Sequence, residues 1–170
     1  MKAERFSGFA PFYNECSRVL VLGSFPSVKS RKEGFYYGNP QNRFWKMLSR
    51  FFGEPLPTTV EDKQALLLRN KIALWDMVLS CEIIGSSDAS IRDEDVADLN
   101  VILGHGTIEC VLCNGTKSYD LLSERFPELL PMTKKMPSTS PANPRYEECI
   151  WHEALAEVFA VGAVSESRKS

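Results

Sequence analysis

The sequence predicts an α/β fold: an open, mainly parallel sheet covered by helices on both faces. Short apolar runs and stretches of helical period alternate about four times along the chain, the order expected of successive βα units. The apolar runs are continuous, as in strands buried on both faces. Polar clusters, "GSFPS", "WDMVLSC", "CNG" and "PSTSPANPR", recur at the ends of these runs, where ligands of open α/β sheets gather.

"SRVLVLGS", from Ser17 to Ser24, is the first of these buried strands and stops at Gly23. A long Gly/Ser/Lys-rich loop follows, crowding Tyr36, Tyr37, Asn39 and Asn42 together. "NRFWKMLSRFFG" places Phe44, Trp45, Leu48, Phe51 and Phe52 on one side of a 3.6-residue period, with Asn42 as N-cap and Gly53 as stop. "VEDKQALLLRN" reads as a helix, "KIALWDMV" as a strand, and "DEDVADLNVIL" as a helix capped by Asp93 or a neighbour. "TIECVLCNG" is the next strand, "TKSYDLLSERF" the next helix, and "MTKKMPSTSP" a shorter strand entering a rigid loop. In "RYEECIWHEALAEVFAVG", Ile150, Trp151, Leu155, Val158 and Phe159 mark a covering helix. The final "SESRKS" has nothing to pack, so a single domain over residues 1–162 and a disordered tail over 163–170 are expected.

With 170 residues, 44% of them hydrophobic, the chain can bury one sizeable core and needs no second domain. No basic apolar leader is evident and no apolar run is long enough to cross a bilayer, so a cytoplasmic protein without a membrane partner is expected. The five cysteines, Cys16, Cys81, Cys110, Cys113 and Cys149, are odd in number and spread through apolar segments, which argues against a disulfide scaffold. Strand alternation sends Cys110 and Cys113 of "CVLC" to opposite faces; buried thiols are expected there, with no metal and no cofactor. The formal charge of -2 neither suggests nor forbids a local site for a polyanion. Lys29, Arg31 and Lys32, then Arg43, Lys46 and Arg50, then Lys134, Lys135 and Arg145 form either three solvated runs or one basic face.

The strand exit "GSFPS", the following "YYGNPQNRFW" and the late "MPSTSPANPR" resemble the uracil-DNA glycosylase superfamily, in its mismatch-specific and thymine-DNA glycosylase branch. With "ALWDMVLSCEIIGSSDASIR" included, the chain is most similar to the hypoxanthine-DNA glycosylase branch, from about Arg18 to Ala160. The resemblance implies a three-layer α/β/α sandwich, action as a monomer on DNA containing a deaminated base, and hydrolysis of the N-glycosidic bond of a flipped nucleotide without a metal. Relatives carry Asp or Asn in the first motif to position water, whereas Phe25 stands there in this chain. A phenyl ring cannot orient water, so a polar role must have moved.

Asn39 is the first candidate for that role by resemblance, although an Asx-turn before Pro40 would also use it. Asn114 is the second: it ends a strand, where it is either half of an "NG" turn or an amide reading a purine edge. Gly23, Ser24, Phe25, Pro26 and Ser27 form the strand exit, with Phe25 stacking on the base and Tyr36 or Tyr37 closing the slot. Asn42 is at most a positioning residue, and Asp76 is the one carboxylate obviously delivered to the strand edge, where a helix cap is the alternative use for it. Ser138, Thr139 and Ser140, with Asn143 and Arg145, belong to a proline-stiffened loop for phosphates and for the space left by the flipped nucleotide. Pro141, Ala142 and Asn143 are the alternatives for filling that space. Ser86, Ser87 and Asp88 are candidates for contact with the lesion strand. His105 and His152 are not expected to serve as base, and no lysine in an apolar strand-edge context supports a Schiff-base lyase step. A uracil- or xanthine-preferring glycosylase and a non-catalytic DNA- or nucleotide-binding protein of the same fold remain alternatives.

Overall fold

A computed structural model describes residues 4–83 and 92–159. Four strands, β2 (Val19–Gly23), β3 (Ile72–Asp76), β6 (Cys110–Asn114) and β7 (Thr133–Met136), form a parallel sheet in the order β3-β2-β6-β7. Every residue of β2 and β3 is buried, so both faces of the sheet are covered, as continuous apolar strands require. Helices α1 (Val28–Glu33), α2 (Phe44–Phe52) and α3 (Val60–Arg69) connect β2 to β3. Beyond β6, α5 (Thr116–Arg125) and a 3-10 segment, Pro127–Met132, lead to β7. The chain closes with α6 (Glu148–Val158), which packs on α2.

From β2 the chain passes first to β3 on one side and later to β6 on the other. The carboxyl ends of β2 and β6 therefore flank a topological switch point, the usual crevice for ligands in such sheets.

Local chemistry explains the helices. Thr59 Oγ1 accepts from Asp62 N at 3.0 Å to start α3, and Ser27 Oγ accepts from Ser30 N at 3.1 Å to start α1. Phe44, Met47 and Leu48 on α2 are fully buried, each contributing roughly 1.5–3 kcal/mol by burial. Gly53 ends α2 in the left-handed conformation. Asn42 does not take the expected cap position: the residue before α2 is Arg43, and Asn42 Oδ1 accepts from Phe44 N at 3.0 Å in an Asx-turn.

Two features depart from expectation. "DEDVADLNVIL" is not one helix: Arg92–Val96 is strand β5, and helix α4 spans only Asn100–Leu103. Val96, Leu99, Ile102 and Leu103 have helical spacing, but β5 is captured by the antiparallel strand β4 (Val78–Ile83), tertiary pairing that overrides local preference. With β1 (Glu4–Ser7), these strands form a second, antiparallel sheet in the order β1-β4-β5. The "GSSDASIR" loop with Ser86, Ser87 and Asp88, and the tail 163–170, lie outside the described residues.

None of the five cysteines is in a disulfide. Cys110 and Cys113 are buried in β6, and desolvation pushes the Cys113 thiol up to about 12, so it stays protonated and inert as a nucleophile. No helix among the described residues is long and apolar enough to cross a membrane.

Candidate active site at the carboxyl edge of the parallel sheet

The strand ends Gly23, Asp76 and Asn114 open into a cavity of about 470 Å3. Ser24, Phe25, Pro26 and Ser27 form one wall, Tyr36, Tyr37 and Asn42 a second, and Ser138, Thr139 and Ser140 a third. Ser30, Arg31 and Ala142 complete the lining. Of the described candidates for the site, Asn39, Pro141, Asn143 and Arg145 do not line this cavity. Asn143 and Arg145 instead border a neighbouring hollow of about 320 Å3 with Gly115, Thr116, Lys135 and Ser138.

Asn39 stands apart for a local reason. Its Oδ1 accepts from Gln41 N at 3.0 Å, the Asx-turn that Asn favours before a turn proline. Phe25, Asn114 and Ser138 line the cavity, and Asn39 does not. Asn42, expected only to assist, is the asparagine of this segment at the cavity wall.

Around Gly23 the walls approach closely. A Cβ there would collide with the Asp76 carboxylate and come within 3.3 Å of the Tyr37 hydroxyl. Asp76 is only 4% exposed. Burial, reinforced by the charge of Asp76, holds the Tyr37 phenol well above its usual range, with Asn114 opposing part of the shift. Tyr37 thus remains neutral near this carboxylate. Its backbone has φ 55, a left-handed conformation rare for a non-glycine residue and maintained only where the surroundings enforce it. Those surroundings come from α2: Trp45 Nε1 donates to both Tyr36 O and Tyr37 O at 3.1 Å, and the Phe44 ring lies 4.3 Å from that of Tyr37. Tyr36, whose hydroxyl donates to Ala10 O at 2.9 Å, is anchored at its other end.

Asn114 ties β6 to the serine-rich loop. Its Nδ2 donates to Thr139 Oγ1 and its Oδ1 accepts from Thr139 N, both at 2.9 Å. Thr139 is fully buried. A carboxamide has two donor hydrogens and two acceptor lone pairs, so beyond Thr139 Asn114 keeps one acceptor position and one donor hydrogen, the latter directed at the Tyr37 hydroxyl until a ligand competes for it. Gly115, at φ 98, lets the loop approach; a Cβ would lie 3.3 Å from Ser138 Cβ.

The loop is held internally. Ser138 Oγ accepts from Ser140 N and Ser140 Oγ from Ala142 N, both at 3.2 Å. Asn143 Nδ2 donates to Ser138 O at 2.9 Å, while its Oδ1 accepts from Arg145 N at 3.0 Å. Both serine hydroxyls retain a hydrogen to donate. The central fastener, missed in the sequence, is Arg43. Its guanidinium donates to the carbonyls of Thr139, Ser140 and Asn143, reaching the last at 2.8 Å, and lies over the Tyr146 ring at 4.2 Å. Its position within "NRFW" suggested only a basic helical surface, because a pairing across about a hundred residues leaves no periodic trace.

His105 packs against Tyr13, and His152 Nε2 meets Met47 O at 3.0 Å; neither lines the cavity. Among the described residues, no lysine lines it either.

A model of the uracil DNA glycosylase superfamily matches residues 10–155. Hypoxanthine DNA glycosylase of Methanosarcina barkeri is 36% identical over 143 residues, covering 81% of this chain and 88% of the relative. Its counterpart in Methanosarcina acetivorans is 35% identical over 146 residues, covering 83% and 90%. A solution NMR structure from Methanosarcina acetivorans, described as a candidate uracil DNA glycosylase, has a TM-score of 0.77 and 32% identity, covering 91% of this chain and 98% of that one. The cavity at the switch point, with the strand-exit and serine-rich loops as its walls, lies within a segment matched over almost its whole length: the chain belongs to the uracil-DNA glycosylase superfamily.

Proposed function

We propose that the protein hydrolyses the N-glycosidic bond of deoxyinosine in DNA, releasing hypoxanthine and leaving an abasic sugar. The observation that carries this reading is the similarity, at about the same identity and over most of both chains, to two relatives named hypoxanthine DNA glycosylase. The cavity chemistry supports it. Phe25 offers a flat apolar wall, and stacking of a base on such a ring contributes roughly 1–3 kcal/mol without selecting among bases. Selection falls to Asn114, whose remaining donor and acceptor match O6 and N1–H of hypoxanthine.

In this reading Asn42, on the cavity wall, takes over the water-positioning role that Phe25 cannot perform. Asp76 supplies the negative charge that stabilises the positive sugar in the transition state. The bond breaks with its electron pair left on the purine, and water adds to C1′. Amide and carboxylate positioning suffices for this step because hypoxanthine is a workable leaving group when hydrogen-bonded. The absence of a lysine from the described cavity lining favours hydrolysis over a Schiff-base lyase step.

DNA is the partner in this proposal, with the protein acting as a monomer. Ser138 and Ser140 donate to phosphates from a pre-ordered loop, which limits the entropy lost on binding. The test is a panel of end-labelled oligonucleotides, each with one lesion, incubated with the protein and divided into alkali-treated and untreated halves. Strand breaks at deoxyinosine only after alkali are expected. Breaks without alkali would contradict simple hydrolysis, and no reaction at any lesion would favour a binding protein of the same fold.

A further inference from the structure

Arg31 is the only cation among the described residues lining the main cavity. Its guanidinium carbon sits 4.3 Å from the Phe6 ring centroid and 5.6 Å from that of Phe25, so two aromatic faces restrict the planar group. Its Nε is buried without a hydrogen-bond partner among the described residues. Neighbouring cations are engaged elsewhere: Arg43 with the loop carbonyls and Lys63 with Glu33. A buried N–H without an acceptor is unfavourable. The position therefore calls for an acceptor that none of the described residues supplies.

We propose that Arg31 is a specificity-determining catalytic residue that binds the N7 and O6 edge of the flipped purine and stabilises the negative charge left on it. This rests on the hypoxanthine reading above. Hypoxanthine presents N7 and O6 side by side, the acceptor pair that an arginine fork matches, whereas adenine replaces O6 with an amino donor. Asn114 and Arg31 can share O6, which has two lone pairs. As the C1′–N9 bond breaks, its electron pair stays on the purine and the charge spreads towards N7 and O6. Charge-assisted hydrogen bonds from Arg31 strengthen as that charge develops. Arginine keeps its protons, so it acts electrostatically. Water oxygen bonds to C1′ and releases one proton, while the purine anion takes one up, leaving neutral hypoxanthine and a neutral sugar hydroxyl.

The test is a cycle between protein and substrate under single-turnover conditions. Wild type and Arg31→Ala are each assayed on deoxyinosine and on 7-deaza-deoxyinosine, in which N7 is replaced by C–H. Arg31→Ala should slow release of hypoxanthine by about 10²-fold, the scale lost with one preorganised donor. On the 7-deaza substrate the same variant should lose far less, because the contact is already missing. Affinity for an oligonucleotide carrying uncleavable 2′-fluoro-deoxyinosine should change less than the rate. Millimolar guanidinium should restore part of the Arg31→Ala rate on deoxyinosine, whereas sodium chloride at equal ionic strength should not.

Equal losses on both substrates would overturn the proposal. So would weaker binding with a shallower salt slope, which would place Arg31 on a phosphate instead. If Arg31→Ala misfolds, Arg31→Gln and Arg31→Lys enter the same cycle, and equal losses there count equally against it. A wild type that releases no hypoxanthine refutes the functional reading and this inference together; an active wild type matched within threefold by Arg31→Ala refutes the inference alone.

Discussion

Asn39 and Asn42 are three residues apart and carry the same amide, yet their surroundings assign them different work. Asn39 spends its Oδ1 on the turn at Gln41; Asn42 spends its own on Phe44 N but stands at the cavity wall. Asn42→Ala should therefore slow single-turnover base release by about 10²–10³-fold, the scale of one transition-state hydrogen bond. Asn39→Ala should change the rate by less than about tenfold and show mainly as lost stability of about 1 kcal/mol, read by urea denaturation. The reverse ranking would return the water-positioning role to Asn39. Asn114 holds the loop and, in the proposed function, also reads the base, so it should show both roles. Asn114→Ala removes the tie to Thr139 and the amide proposed to face the base, so the ratio of hypoxanthine to uracil release should fall along with the rate. An unchanged ratio would leave Asn114 as a loop fastener only.

At the scale of elements, the start of α2 organises the site. Within four residues, Asn42 lines the cavity, Arg43 holds the serine-rich loop, and Phe44 and Trp45 fix the tyrosines. Arg43→Lys keeps the charge but cannot span three carbonyls with a planar fork. It should cost about 1–3 kcal/mol of stability and weaken DNA binding more than it slows the bond-breaking step, since the loop it holds is proposed to meet phosphate. Comparing the dissociation constant with the single-turnover rate decides this; a loss confined to the rate would contradict it. Much of this architecture was legible in the sequence: apolar runs marked β2, β3 and β6, the short stretch before the proline-rich loop marked β7, and their polar ends marked the cavity. The antiparallel sheet was not. The alternation in β5 is short and charged, and the helical spacing from Val96 to Leu103 masked a strand defined by its distant partner. Arg43 was illegible for a related reason, because its carbonyl partners lie far along the chain.

For the whole molecule, pH should limit stability from both sides. Hydrogen bonds from Asn70 and Arg69 hold the Glu54 carboxyl below its ordinary 4.5, and Arg18 does the same for Glu109. These depressed groups contribute stability above about 4.5 that is lost as pH falls through their lower folded values. Solvent at Glu109 and at Arg69, the partner of Glu54, keeps that contribution small. Tyr36 and Tyr37 behave oppositely. Burial raises both phenols above 10, so their contribution is complete below 10 and is lost as pH rises towards their folded values. The urea midpoint should therefore be broad and level between about pH 5 and 9 with respect to these groups. Tyr37→Phe should soften the alkaline decline, and a variant declining as steeply as wild type would exclude Tyr37 as its source.

The assignment of hypoxanthine as the released base can be measured without any variant. Protein in excess over a duplex with one deoxyinosine, and separately over the matching duplex with deoxyuridine, is sampled over time, and the free base is quantified by chromatography. The expected result is free hypoxanthine in stoichiometric yield, released faster than uracil. Intact deoxyinosine alongside efficient uracil release would contradict the account.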